Sequence, residues 1–237
     1  SYVEPEFYVP IIPMLLVNGS KGIGTGWSTN IPCYNPLDLI ECIKVWLNND
    51  GKCLLSEGDM TISVFPEIKP WYRGYTGEIT KEKEGKYTSW GRLENGERIT
   101  ELPIGMWTED FEESLKDMIE EKKITKYKSY SDPDIVDFTI VGNGEYDLNN
   151  LGLYTSINTS NMVIFDSDHT LSKFESIDKI IDSYCTVRYR YYTKRKQYQI
   201  KILEREITLF KNKKRFLEEV RDGIIKLFKE NGKTRVY

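Results

Sequence analysis

From Ser176 onward the chain contains no proline, and apolar residues recur at Ile177, Ile180 or Ile181, Tyr184, Val187, Tyr191, Tyr198, Ile202, Phe210, Leu217, Val220, Ile224 and Leu227. That spacing is helical, and Ser176 is placed to cap its start. At about 1.5 Å per residue, fifty or so helical residues reach on the order of 75 Å, so this third of the chain is predicted to be an arm, with Gly223 marking a break. A single apolar stripe on an arm calls for a partner helix. The same stretch is basic. Arg188, Arg190, Lys194, Arg195, Lys196, Lys201, Arg205, Lys211, Lys213, Lys214 and Arg215 are opposed there only by Glu204 and Glu206, and Tyr189, Tyr191, Tyr192 and Tyr198 interleave with them. Such a face either tracks nucleic-acid phosphates or is the solvated side of a coiled coil.

The opposite end is built differently. Tyr8 to Ser28 is an apolar run punctuated by Pro10 and Pro13, and it ends in a loop where Gly22, Gly24 and Gly26 alternate with Ile23 and Thr25. Glycines there permit positive φ and close backbone approach, Lys21 adds a charge, and Ile23 is a compact apolar wedge. The combination suits insertion into a nucleic-acid groove, and the alternative is a tight turn whose isoleucine packs inside. A phosphate-cradling loop is excluded because Lys21 precedes the glycines instead of closing them. A dinucleotide fingerprint is excluded because Trp27, Ser28 and then Pro32 follow where a helix should open.

The 237 residues are 39% hydrophobic and 13% aromatic, enough for a sizeable core in one large domain or two smaller ones. A net charge of −4 gives no global sign of a nucleic-acid partner, so any such contact must come from local basic patches. Cys33, Cys42, Cys53 and Cys185 show no C-x-x-C pairing and His169 is the sole histidine, so a zinc site or histidine dyad has little to build on. The thiols read as reduced. No basic n-region opens the chain and no apolar stretch is long enough for a membrane span, which points to a soluble protein that is not secreted. Opening and closing in mid-motif, without an initiator Met, fits an excised segment of a longer protein.

Three parts follow along the chain. Residues 1–34 are extended and proline-punctuated, and are expected to complete a domain that begins upstream. Residues 35–176 are predicted to be α+β. There Asn35-Pro36 starts a helix over Leu37 to Leu47, with Leu39, Ile40, Ile43 and Leu47 on its apolar face. Short antiparallel strands follow at Gly77 to Lys81, Lys86 to Arg92 and Arg98 to Glu101, the last two around the turn Glu94-Asn95-Gly96. Trp107 to Glu121 is helical, with Thr108 as its cap, before strands at Ile135 to Val141 and Asn161 to Phe165. Trp71, Trp107 and Phe165 are expected in the core. Residues 177–237 form the long helix.

Glu4-Pro5-Glu6-Phe7-Tyr8-Val9-Pro10-Ile11-Ile12-Pro13-Met14, with Val17-Asn18-Gly19 and Gly22-Ile23-Gly24-Thr25-Gly26-Trp27-Ser28, closely resembles the segment after the active-site tyrosine in type IIA DNA topoisomerases of eukaryotic and viral type. Later blocks resemble the same family in the same order. These are Pro70-Trp71-Tyr72-Arg73-Gly74-Tyr75-Thr76-Gly77, Glu101-Leu102-Pro103 with Trp107-Thr108, Asn161-Met162-Val163-Ile164-Phe165-Asp166, and Arg188 through Tyr191-Tyr192 to Arg195-Lys196.

The resemblance implies that residues 1–34 end a winged-helix cleavage domain, 35–176 form an antiparallel-sheet tower domain with packed helices, and 177–237 begin a coiled-coil arm. It implies an ATP-dependent homodimeric enzyme that bends and cleaves one double-stranded DNA segment and passes another through. Ile23 would intercalate and kink the DNA, with Lys21, Gly22, Gly24 and Thr25 around it. Lys69 and Arg73 would touch the outer DNA arms, and Lys194, Arg195 and Lys196 the backbone at the helix start. No catalytic residue is expected here. Arg188-Tyr189 and Arg190-Tyr191 have neither the position nor the surroundings of the family's nucleophile. The Mg2+-binding acidic cluster and the ATP site would lie in the rest of the polypeptide. Asp132, Asp134 and Asp137 are spaced like metal ligands but, beside Pro133, read as a loop entering a strand. The implied location is intracellular: nuclear in a cellular eukaryote, host nucleus or cytoplasm for a virus. The alternative function is a non-enzymatic DNA-bending or chromatin-associated module with a dimerising helical arm.

Overall fold

Strand pairing is antiparallel throughout the described residues, and the strands are three to six residues long, so each small sheet depends on a helix or neighbouring segment to cover it. The computed structural model describes residues 3–5, 8–57, 60–132, 135–142, 144–230 and 233–236. In chain order these form α1 (Met14–Asn18), β1 (Ser20–Gly24), β2 (Trp27–Ile31), α2 (Pro36–Asn48), β3 (Leu54–Glu57), β4 (Met60–Ser63), β5 (Glu78–Lys83), β6 (Lys86–Trp90), β7 (Arg92–Glu94) and β8 (Arg98–Glu101). Then come α3 (Thr108–Glu120), β9 (Lys126–Ser129), β10 (Phe138–Val141), β11 (Tyr154–Asn158), β12 (Met162–Phe165), β13 (Leu171–Phe174), α4 (Ile177–Arg221), β14 (Leu227–Glu230) and β15 (Lys233–Val236). The fold is α+β, with packed helices on antiparallel sheets followed by a long helix. Two compact units divide the chain, Ser1–Thr186 and Val187–Tyr237.

Three apolar clusters hold the first unit. One gathers Leu16, Ile31 and Tyr34 with Leu39, Cys42 and Trp46 of α2, Met162 of β12, and Ile180, Ile181 and Cys185 of α4. It therefore draws on all three of the segments marked out along the sequence. A second lies between α3 and the four-stranded sheet β7-β8-β10-β9, where Phe111 meets Phe138 edge-on at 5.3 Å and Ile99, Leu115 and Ile140 are fully buried. The smallest joins Ile79, Tyr87 and Ile157 across the sheet β11-β6-β5.

Local chemistry sets the element ends. Asn35 Oδ1 accepts from the Leu37 N–H at 2.9 Å, and Pro36 fills the first helical position of α2. The buried face of α2 is Leu39, Cys42 and Trp46, whereas Leu47, expected inside, is 54% exposed. Trp46 takes the interior place because its indole N–H reaches Asp182 Oδ1 of α4 at 2.8 Å. Asn95 and Gly96 both have positive φ in the three-residue connection between β7 and β8, where the Glu97 N–H donates to the Glu94 carbonyl at 3.1 Å. In α3 the cap residue is Trp107, in extended geometry, and Thr108 is the first helical residue rather than the cap.

Trp71, Trp107 and Phe165 are not core residues. They are 38%, 74% and 69% exposed. Trp107 stands at the N-terminal end of α3, and Phe165 is the last residue of β12, after the buried Met162 and Val163.

Ser176 Oγ accepts from the Lys179 N–H at 3.3 Å, capping α4. The helix ends at Arg221, short of the expected span of 177–237, and the break falls at Gly223, which turns the chain at φ 75°. Beyond it, β14 and β15 form a hairpin in place of further helix.

Candidate nucleic-acid interface

The glycine segment is a β-hairpin. β1 and β2 pair Lys21 with Asn30, Gly22 with Thr29, Ile23 with Ser28 and Gly24 with Trp27. Two glycines are demanded by its geometry. Gly19 leaves α1 at φ 67°, where an added Cβ would sit 2.7 Å from the Ile31 carbonyl, and Gly26 makes the turn at φ 78°. The expectation of positive φ does not hold at Gly22 and Gly24, because both lie in the extended strand β1, outside the left-handed region.

The base of this hairpin is fastened on every side. Ile31 is buried, the Asn30 N–H donates to the Asn161 carbonyl at 2.8 Å, Asn161 Nδ2 donates to Ser28 Oγ at 2.8 Å, and the Val163 N–H donates to Thr29 Oγ1 at 3.3 Å. Cys33 Sγ donates to the Asn18 carbonyl, and the Tyr34 N–H to the Leu16 carbonyl. The tip is the reverse. Residues Lys21 to Ser28 are all exposed, and Ile23 is 94% accessible. Leaving an isoleucine that open forgoes about 2 kcal/mol of burial that an inward turn would have gained. The packed-turn alternative is thereby removed.

Beside the base of the hairpin runs a groove of about 380 Å³ lined by Asn18, Lys21, Cys33, Tyr72, Trp107 and Ser156, among others, with no carboxylate in its wall. Burial pushes the Cys33 thiol up and the Tyr72 hydroxyl up to about 12, so both stay neutral and Lys21 supplies the wall's only charge. Two other grooves in this unit are acidic. Glu67, Glu84, Glu175 and Asp178 surround Lys81, and the adjoining groove adds Asp38, Glu41 and Glu78.

The remaining sequence candidates are spread out. Lys69 and Arg73 are exposed, and Lys69 lines a third groove with Trp71, Tyr75 and Trp90, whose wall does not include Arg73. In the second unit, Lys194, Arg195 and Lys196 are exposed on α4. The Lys194 ammonium lies 5.0 Å from the Tyr191 ring centre, and Arg188 stacks 4.4 Å over Tyr192 while donating to its hydroxyl at 2.9 Å. Further along, Lys214 and Arg215 are matched by Glu218 and Glu219 one turn on, whereas the sequence places no carboxylate between Asp182 and Glu204. The positive charge of the helix is therefore concentrated near the start of this unit.

A family model for the DNA gyrase/topoisomerase IV A subunit matches residues 1–236. The chain belongs to that family. Among curated proteins it is similar to DNA topoisomerase 2 of Invertebrate iridescent virus 6, 38% identical over 94% of this chain and 20% of that protein. DNA topoisomerase 2 of Penicillium chrysogenum is 34% identical over 96% of this chain and 14% of its own length. Among solved structures, the DNA-binding, cleavage and re-ligation domain of Plasmodium falciparum topoisomerase II matches with a TM-score of 0.79 and 30% identity, over 98% of this chain and 32% of that one. The chain thus spans a fifth or less of these curated relatives.

Trp107, expected in the core, instead lines the carboxylate-free groove. A signal for it exists: a tryptophan directly ahead of a helix start, after Gly105, has no preceding turn to pack against. The motif Asn161-Met162-Val163 acquires a structural role, because Asn161 and Val163 are what hold the hairpin down. Asp137 is taken up by a bidentate pair with Arg98, both bonds 2.9 Å, which holds its carboxyl below the usual range. Pro133 and Asp134 lie outside the described residues. Among the described residues no group of three or more His, Cys, Asp or Glu side chains could hold a metal ion, and no helix is long and apolar enough to cross a membrane.

Proposed function

We propose that this chain is the DNA-bending part of the cleavage core of a full-length, ATP-dependent type II topoisomerase. The observation that carries the reading is Ile23, held 94% exposed at the tip of a hairpin whose base is locked into the core. A rigidly mounted apolar side chain with a lysine two residues away is what kinking a duplex requires. The wedge unstacks one base step at a cost of a few kcal/mol, and phosphate contacts made by the bent arms offset it.

In this reading Ile23 enters the stack, and Lys21, Gly22, Gly24 and Thr25 lie against the neighbouring backbone. The carboxylate-free groove with Trp107 receives the flanking DNA. Lys69 and Arg73 on the tower domain, residues 35–176, and Lys194, Arg195 and Lys196 at the start of the arm extend the track. Mg2+ and ATP chemistry, the cleaving tyrosine and the homodimer's distal gate belong to other parts of the enzyme, which acts inside the cell. The 237-residue chain alone neither cuts nor relaxes DNA.

The test is fluorescence-monitored bending of an end-labelled duplex by the full-length enzyme and its Ile23→Ala variant at one fixed low salt concentration. The variant is expected to bind but not bend. Equal bending by both refutes the wedge.

A further inference from the structure

Two tyrosines of the first unit are buried with their hydroxyls unanswered. Tyr34 is 1% exposed and Tyr87 6%, yet among the described residues neither hydroxyl has a hydrogen-bond partner. Buried tyrosine hydroxyls ordinarily find one. Less deeply buried tyrosines of the same unit do: Tyr75 bonds Ser89 at 2.8 Å, Tyr127 donates to Glu112 at 2.8 Å, and Tyr184 donates to the Pro10 carbonyl at 2.7 Å. Tyr34 and Tyr87 line one groove of about 450 Å³, with Phe65 and the carboxylates of Glu67, Glu84, Glu175 and Asp178. Burial pushes both hydroxyls up, and the Asp178 carboxylate adds to the rise in each, so both lie within reach of its charge. Lys81 already answers Glu67 at 2.6 Å and Glu84 at 2.8 Å. Glu175 and Asp178 have no ion pair among the described residues, and they stand beside the two unbonded hydroxyls.

We infer that this groove binds the guanidinium of an arginine carried by an extended basic peptide segment. Two carboxylates and two hydroxyl oxygens call for a ligand that brings positive charge and several N–H groups, and a guanidinium brings five donors in one plane. Over the apolar floor of Phe65 and the two tyrosine rings, such charge-assisted bonds are less screened than at an open surface. A divalent metal fits poorly, because among the described residues no three His, Cys, Asp or Glu side chains converge. The groove continues into a second of about 680 Å³, which shares Glu67, Lys81 and Tyr87 and adds Asp38, Glu41 and Glu78. A single small cation would occupy only the first, whereas a peptide with basic residues at alternate positions can run along both. Acidic walls that would repel DNA thus form a track for a polypeptide of opposite sign, and this holds whether or not Ile23 bends DNA.

The probe is a fluorescein-labelled Arg-Ala-Arg-Ala-Arg peptide, titrated by anisotropy into the full-length enzyme without DNA at one fixed salt concentration near physiological. Glu175→Gln with Asp178→Asn should weaken binding about tenfold or more, in line with the loss of hydrogen bonds to charged groups. Glu113→Gln with Asp117→Asn removes the same charge at two exposed positions of α3 outside both grooves, and should weaken it less than about twofold. Tyr34→Phe removes a buried hydroxyl with no internal partner, so it should leave the thermal midpoint unchanged or raised and yet weaken the peptide by about fivefold. Equal weakening by the two carboxylate pairs would mean attraction by net charge alone and overturns the site. If Tyr34→Phe binds as wild type does, or melts lower, the hydroxyl does not await a ligand and the inference falls. Spermine is titrated in parallel, and spermine binding that is lost with Glu175 and Asp178, without peptide binding, overturns the peptide in favour of a free polyamine.

Discussion

The base and the tip of the β1–β2 hairpin belong to one ribbon and obey opposite rules. At the base Ile31 is buried and Asn30, Ser28 and Thr29 are all engaged by the Asn161–Val163 segment. At the tip a large aliphatic side chain and a lysine are left in solvent. A ribbon of this kind packs where it is mounted and leaves exposed what it presents. Substitutions at the base should therefore register as stability, and substitutions at the tip as DNA bending with stability intact.

The largest break in that contrast is Leu16→Ala. Leu16 is fully buried beneath the hairpin and its carbonyl receives the Tyr34 N–H, so truncation should cost about 2–5 kcal/mol of unfolding free energy. Denaturant titration measures it, and a loss below about 1 kcal/mol would mean that the base is not held by this core. Asn161→Ala is smaller. It removes the Nδ2 bond to Ser28 while leaving the backbone bonds, for about 1 kcal/mol, and amide exchange at residues 28–31 should rise more than exchange in α3. Uniform exchange across both would show that Asn161 does not act on the hairpin.

Acid gives the smallest effect. Asp166 accepts from the Thr170 and Asp168 N–H groups and from Ser172 Oγ in the β12–β13 turn, and the two backbone bonds hold its carboxyl below the usual range. A depressed folded value means a contribution present above the unfolded value, about 3.9, and lost as pH falls through the folded one. The thermal midpoint of Asp166→Asn should accordingly fall less steeply than wild type below about pH 4. Parallel curves would exclude the turn as an acid-sensitive support.

Much of this is legible in the residues. Asn35-Pro36, Asn95-Gly96 and Ser176 are local signals, and each marks the element boundary it implies. For Ile23 the pattern alone allows both a wedge and a packed turn, and its 94% exposure is what separates them. What the residues do not reveal depends on partners distant in sequence. Trp46 displaces Leu47 from the core because Asp182, 136 residues away, accepts its indole N–H. β10 lies between β8 and β9, an order that no turn signal encodes. Size alone argues for burying Trp107, and its place at a helix end leaves it outside.

In the DNA-bending reading, the uneven distribution of carboxylates around the first unit also bears on how the chain would meet DNA. With a net charge of −4 the chain gains little attraction at long range, and approaches through the acidic grooves around Lys81 are repelled. Within about a Debye length, roughly 8 Å at physiological ionic strength, the carboxylate-free face around Lys21 is permissive, as is the groove where Lys69 and Arg92 outnumber Glu78. Encounters in this unit are thus filtered by orientation before any contact forms, and added salt relaxes the filter as well as weakening the bond.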